Sequence, residues 1–218
     1  MNICVVPRPP SGGLNKLPEC DLAILGFPCL AAVDFESELS GRTDKLGAFS
    51  RLTRNGPAAI AGCITDSRGL RRRSAAVAEG GRLLGITDML HVVDGENLKS
   101  GAYLGLYRLS GYKVGLCIEN DMHFPEDIKS LSLCGCNLLV LLRENSDCMS
   151  PLLARAYAYL FGMPAVLCAS NCAYFADITG SIVTSTSPVT LFSAQPRNAY
   201  HVVTTRRRGL ASEECTDY

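Results

Sequence analysis

The chain has 218 residues, 47% of them apolar and 19% charged. That is enough apolar material for a folded core, so a disordered chain is excluded, and the length fits one domain better than two. Its 21 Lys and Arg balance 21 Asp and Glu, which argues against a dedicated nucleic-acid binder, and no apolar run reaches the roughly 18 residues of a membrane helix.

Asn2 to Val6 reads as a strand, ended by Pro7, Pro9 and Pro10. Asp21 to Gly26 reads as a second strand. The Gly- and Pro-rich link between them leaves no room for a long helix. Thr43 to Arg54 reads as a helix with Leu46, Phe49 and Leu52 on one stripe, stopped by Gly56-Pro57. Ala58 to Thr65 is a buried strand. Ser74 to Ala78 and Arg82 to Thr87 flank Gly80-Gly81, and Tyr103 to Leu109 and Tyr112 to Ile118 flank Ser110-Gly111, which predicts two hairpins. Phe124 to Leu133 is a helix, with Pro125, Glu126 and Asp127 in its first turn and Gly135 just past its end. Asn137 to Leu142 is a buried strand. A helix opens at Ser150-Pro151 and runs to Phe161, before Gly162 and Pro164. Ala165 to Ala169, Ser181 to Ser185, Thr190 to Ser193 and Ala199 to Thr205 read as strands. The expectation is one mixed α/β domain over residues 1–209, with a polar tail over 210–218.

The 11 cysteines are odd in number and widely spread, unlike the disulfide framework of a small secreted domain. The first residues lack the pattern of a signal peptide. A reducing, cytoplasmic setting is expected. Cys134-Gly-Cys136, and Cys168 with Cys172, lack the second pair and histidines of a zinc site, so no metal and no cofactor is expected.

Three segments carry more. Gly81-Arg-Leu-Leu-Gly85, Tyr112-Lys-Val-Gly-Leu-Cys-Ile-Glu-Asn-Asp-Met-His-Phe-Pro-Glu126 and Cys134-Gly-Cys-Asn-Leu-Leu-Val140 together resemble the nitrilase, or carbon–nitrogen hydrolase, superfamily. Leu153-Ala-Arg-Ala156, Asn171 and Gly180-Ser-Ile182 look like its later landmarks, so the resemblance runs from Ala23 to Arg206. It implies a four-layer α-β-β-α sandwich, somewhat truncated in this chain because the first connection is short. It also implies hydrolysis or condensation at amide or nitrile carbons by a glutamate base, a lysine that stabilises the developing oxyanion and a cysteine nucleophile.

None of the three stands in its place. Counting back from Phe124-Pro125-Glu126, and forward from Gly115, puts the family's cysteine at Glu119. The lysine position falls on Met89, which supplies neither a donor nor a charge. Arg82 lies on the wrong side of Gly85, and Lys99 could help only if its loop folds back. The glutamate position, after the strand ending at Phe27-Pro28, falls on Cys29, with Glu36 and Glu38 in the following loop. The resemblance therefore implies the fold without the chemistry: a binding or scaffolding protein for a small amide-like or carboxylate ligand. Phe124, Pro125, Glu126 and Asn171 are its pocket candidates, and pairing through the helical layer makes a homodimer.

The alternative is an active amidase-type enzyme with Cys29 or Cys117 as nucleophile. In one form Cys29 and Glu119 exchange roles, provided they lie within hydrogen-bond reach. A metal site built from Glu119, Asp121 and His123 is a third class, against which these residues read as helix-entry polar groups. Arg68 with Arg71-Arg72-Arg73, and Arg206-Arg207-Arg208, read as solvated strand ends, with Asp66, Glu213 and Glu214 available to pair with them. His91 and His201 read as structural.

Overall fold

The computed structural model describes residues 1–9 and 16–199. Strands β1 (Asn2–Val6) and β2 (Leu22–Leu25) pair in parallel, and β2 pairs in parallel with β4 (Ala58–Ser67). A short β3 (Ala32–Asp34) lies along the same edge of β4, beyond β2, so residues 26–31 bulge out between them. Helix α1 (Phe35–Leu39) and helix α2 (Lys45–Leu52) follow β3. β5 (Leu70–Glu79) and β6 (Arg82–Asp88) extend the sheet antiparallel to β4.

The second sheet starts with the hairpin β7 (Gly105–Leu109) and β8 (Tyr112–Ile118). A 3₁₀ turn over Glu119–His123 leads into α3 (Pro125–Leu133), β9 (Leu138–Arg143), α4 (Met149–Phe161) and β10 (Ala165–Ala169). β8, β9 and β10 are parallel. β11 (Cys172–Ala176) and β12 (Ile182–Ser185) complete this sheet, and β13 (Thr190–Ser193) returns to pair with β1 in the first.

The alternation of strand residues sets the layers. Ile3, Ile24, Ile60, Ala75 and Val77 of the first sheet meet Val114, Leu116, Ile118, Val140, Leu142 and Val166 of the second in a central core. Cys4, Ala23, Leu25, Ala59, Ala76 and Phe49 form the layer under α2. Cys117, Leu139, Leu141, Ile128 and Tyr157 form the layer under α3 and α4. This is the expected α-β-β-α sandwich. Its first outer layer is thin, since α1 and α2 have 5 and 8 residues.

Several boundaries move. The helix expected over Thr43–Arg54 keeps only Lys45–Leu52, and Glu38 accepts from Thr43 Oγ1 and from the Lys45 and Leu46 N–H groups at its start. α4 begins at Met149, before Ser150, and Asp147 caps it by accepting from Met149 N at 3.0 Å and Ser150 N at 2.8 Å. β3, α1 and β11 were not expected from the sequence. The expected strand Ala199–Thr205, apart from Ala199, lies outside the described residues, as do Arg206 to Arg208, His201 and the tail.

The largest correction concerns Arg72 and Arg73. Arg68 (φ 54°) and Gly69 (φ 81°) make a tight turn between β4 and β5, so β5 starts at Leu70; Arg71 is exposed, as expected of a strand end, but Arg72 and Arg73 are half-buried and paired. Asp66 accepts from the Gly69 N–H at 2.8 Å and helps close this turn. Arg68 pairs with Glu36 at 3.0 Å and Arg72 with Asp88 at 3.7 Å.

Candidate functional site

β8 ends at Ile118 and the chain turns sharply, with Glu119 in the left-handed region at φ 50°. A non-glycine residue is uncommon there and is held by its surroundings. Glu119 and Cys117 share strand parity, yet the turn separates them: Cys117 packs under the α3–α4 layer, while Glu119 reaches across to the first sheet. Its Oε1 accepts from the Glu144 N–H at 2.6 Å and from Arg73 Nη1 at 3.2 Å, and its Oε2 lies 3.8 Å from Arg143 Nε.

Arg73 projects between the sheets, in phase with Ala75 and Val77, stands over the Phe27 ring at 6.0 Å, and pairs with Glu144 at 2.7 Å. Arg143, at the end of β9, also donates from Nη1 to Ser150 Oγ at 2.6 Å and Asp147 Oδ2 at 3.2 Å. Glu119 is thus a carboxylate between two guanidinium groups, with 11% of its side chain exposed. Burial pushes its carboxyl above the ordinary range, opposed by Arg73, the Glu144 N–H and Arg143. With Oε1 taking two hydrogen bonds and Oε2 facing Arg143, it is poorly placed to attack a carbonyl.

Asp121 secures the turn from below. Its Oδ1 accepts from the Leu90 and His91 N–H groups, each at 2.9 Å, and its Oδ2 from the Ile118 N–H at 3.3 Å. Burial raises its carboxyl, against the pull of those N–H groups. Met89, next to this anchored segment, is fully buried in the central core, and its N–H donates to Arg73 O at 2.8 Å. The loop after it does fold back on β5, since the Lys99 N–H donates to Arg71 O at 2.8 Å, but the Lys99 side chain is exposed. Arg82 lies at the far end of β6, across from Glu79.

Cys29 sits in the bulge between β2 and β3, its N–H donating to Gly62 O at 2.9 Å. Burial pushes its thiol up to about 12. The hydrogen bonds of Glu119 run to Arg73 and Glu144, not to Cys29. Cys117 is 1% exposed, and burial, then Asp121 and Asp127, push its thiol up. Neither environment favours a thiolate at neutral pH. Glu36 and Glu38 are engaged by Arg68 and by the start of α2, away from this cluster.

A cleft of about 300 Å³ opens at the carboxyl ends of the parallel strands, between Arg8–Pro9, Phe27–Pro28, Glu144–Asn145 and Ser170. Glu144 joins it to the Arg73–Glu119 cluster, and Ser170 Oγ donates to Asn145 Oδ1 at 3.0 Å. Arg8 is exposed and forms no ion pair among the described residues. Of the expected pocket residues, Asn171 accepts from the Ser146 N–H at 3.1 Å and braces the loop behind this cleft. Phe124, Pro125 and Glu126 are exposed at the start of α3 and do not line it. Phe124 instead stacks on His91, centroids 3.4 Å apart, while His91 Nε2 lies 2.8 Å from Asp127 Oδ2. Among the described residues no group of three His, Cys, Asp or Glu is placed to hold a metal.

Arg73, Arg143, Glu144, Arg8 and Ser170 were not singled out as site residues from the sequence. One signal existed for Arg73. Extending the alternation of Ala75 and Val77 backwards past Ser74 points it inward.

No protein-family model matches the chain, and no curated protein sequence does. Solved structures do match. Saccharomyces cerevisiae Nit3, a member of branch 10 of the nitrilase superfamily, superposes with a TM-score of 0.73 at 15% identity, over 90% of each chain. An amidase from Nesterenkonia sp. gives 0.66 at 13% identity over 88% of each chain. Glutamine-dependent NAD+ synthetase from Acinetobacter baumannii gives 0.66 at 15%, over 87% of this chain but 44% of its own. The fold is of the nitrilase type.

Proposed function

We propose that this chain is a nitrilase-fold protein that has given up the family's thiol chemistry and acts as a binding or scaffolding protein. One observation carries the reading. At the turn where the family presents its nucleophile stands Glu119, its carboxylate already occupied by Arg73, Arg143 and the Glu144 N–H. The family's lysine position is an uncharged, fully buried Met89, and the two candidate nucleophiles, Cys29 and Cys117, are both held protonated by burial.

The cleft is the binding site in this reading. Arg8 offers an exposed guanidinium to a carboxylate, and Asn145 and Ser170 offer amide and hydroxyl groups to an amide. The ligand class is a small carboxylate or amide-like molecule. The protein pairs with a second copy through the α3–α4 layer, where Leu133, Leu152 and Tyr159 stay exposed. It works in a reducing, cytoplasmic setting, consistent with its ten described cysteines being free.

The test is a thermal-shift screen with small carboxylates and amides, run beside an ammonia-release assay. A carboxylate that raises Tm in the wild type but not in Arg8→Ala, with no ammonia released from any amide, supports the reading. Ammonia release that is lost in Cys29→Ser or Cys117→Ser would overturn it in favour of an active amidase.

A further inference from the structure

The charges of the chain balance as a whole, 21 Lys and Arg against 21 Asp and Glu, but not at one end of the first sheet. Away from the cleft, ahead of β2 and β4, lies a depression of about 310 Å³. It is lined by Lys16 and Leu17 of the connector before β2, and by Arg51, Leu52, Arg54 and Asn55 at the end of α2. Three of these residues are cations, and among the described residues no carboxylate lines the depression.

Its walls are fixed by the fold. Leu17 is 4% exposed in the layer under α2, and Leu52 packs against the same layer, so the floor is apolar. Thr53 is buried; its Oγ1 donates to Ser50 O at 2.8 Å and accepts from the Gly81 N–H at 2.9 Å. That holds the turn carrying Arg54 and Asn55 against the β5–β6 hairpin, where a Cβ on Gly81 would come within 3.2 Å of Arg54 Cβ. The carbonyl end of a helix repels an anion. Here the Ser50 and Arg51 carbonyls accept from the Thr53 and Arg54 N–H groups at 3.0 and 3.2 Å, which blunts that end. Arg51 is paired with Asp44 at 2.7 Å. Lys16 and Arg54 are exposed and form no ion pair among the described residues.

We propose that this depression is a second ligand site, taking a small phosphate monoester with an apolar body. The phosphate sits between the Lys16 ammonium and the Arg54 guanidinium, whose planar fork matches two phosphate oxygens, and the Asn55 amide donates to the third. The apolar body covers Leu17 and Leu52. A phosphate monoester carries about −1.5 to −2 charges at pH 7, which matches the two unpaired cations; a carboxylate would leave one of them unmatched. The cleft does not serve such a ligand, because Glu144 shares its lining with Arg8 and disfavours a dianion.

The experiment titrates phenyl phosphate into the whole folded protein by calorimetry at an ionic strength of about 0.15 M, with inorganic phosphate and benzoate titrated beside it. Phenyl phosphate should bind about tenfold more tightly than either. Arg54→Glu and Lys16→Glu, both at exposed positions, should keep the wild-type Tm and each weaken the binding by about tenfold or more. Arg8→Ala should bind phenyl phosphate as the wild type does. Overturning results are an unchanged affinity in Arg54→Glu, a loss of binding in Arg8→Ala, which would put the phosphate in the cleft, or benzoate binding as tightly as phenyl phosphate.

Discussion

At the scale of single residues, Glu119 and Asp147 carry opposite electrostatic signatures. Removing Glu119 leaves Arg73 with Glu144 alone and Arg143 with Asp147 and Ser150, and the loss of the charged hydrogen bonds that Glu119 accepts costs about 1.5–3 kcal/mol. Glu119→Ala should therefore lower stability by that order in urea titration, and the Glu119→Ala, Arg73→Ala double variant should lose less than the sum of the singles. Met89→Lys puts an ammonium into the central core. It should be destabilised by about 3 kcal/mol or more, read as a fall in Tm.

The pH dependences follow from the direction of each shift. Glu119 is raised, so the native state holds its proton longer than the unfolded chain. Its contribution is present below 4.5 and is lost as pH rises through the raised value. Asp147 is lowered to about 2 by hydrogen bonds from Ser150 and by Arg143, so its contribution is present above 3.8 and is lost as pH falls through about 2. Asp147→Asn should be less stable than the wild type at pH 6, and the two should converge as the pH approaches 2.

At the scale of elements, the packing of α3 on the second sheet depends on one close approach. A Cβ at Gly115 of β8 would sit 2.9 Å from Cys136 Sγ and 3.0 Å from Leu131 Cδ1, both in a buried layer. Gly115→Ala should cost about 1–3 kcal/mol by overpacking, whereas Gly111→Ala would meet no neighbouring atom and would test backbone strain alone, at φ 85°. Elements were legible in the sequence where a local signal was complete. The hairpins at Gly80-Gly81 and Ser110-Gly111, and the Pro125 opening of α3, need only neighbouring residues to specify them. The turn at Arg68-Gly69 was hidden because Arg68 adopts a positive φ that its side chain does not advertise. The helix cap at Asp147 was hidden because Ser150, the better-looking candidate, is buried and bonded to Arg143.

At the scale of the whole molecule, the thiols give a single profile. Cys134 and Cys148 should alkylate first at pH 8, while Cys29 should stay slow until the pH approaches 12. A Cys29 that reacts fast at pH 7 would count against the binding-protein reading. The proposed homodimer is tested at this scale as well: if it forms, Leu152→Glu, on the exposed side of α4, should shift sedimentation from dimer to monomer without lowering Tm.

Local order lay in the sequence by itself: the strand and helix periods, the turn residues, and a spacing that placed Glu119 at the end of β8. These depend on contacts between residues near in the chain. Which groups Glu119 would meet did not lie there. Arg73 is 46 positions away and the Glu144 N–H is 25, and they come together only because two sheets stack face to face and end their strands at one cleft. That stacking, driven by burial of the central core, turned an isolated carboxylate into the centre of an ion-pair cluster beside an open cleft.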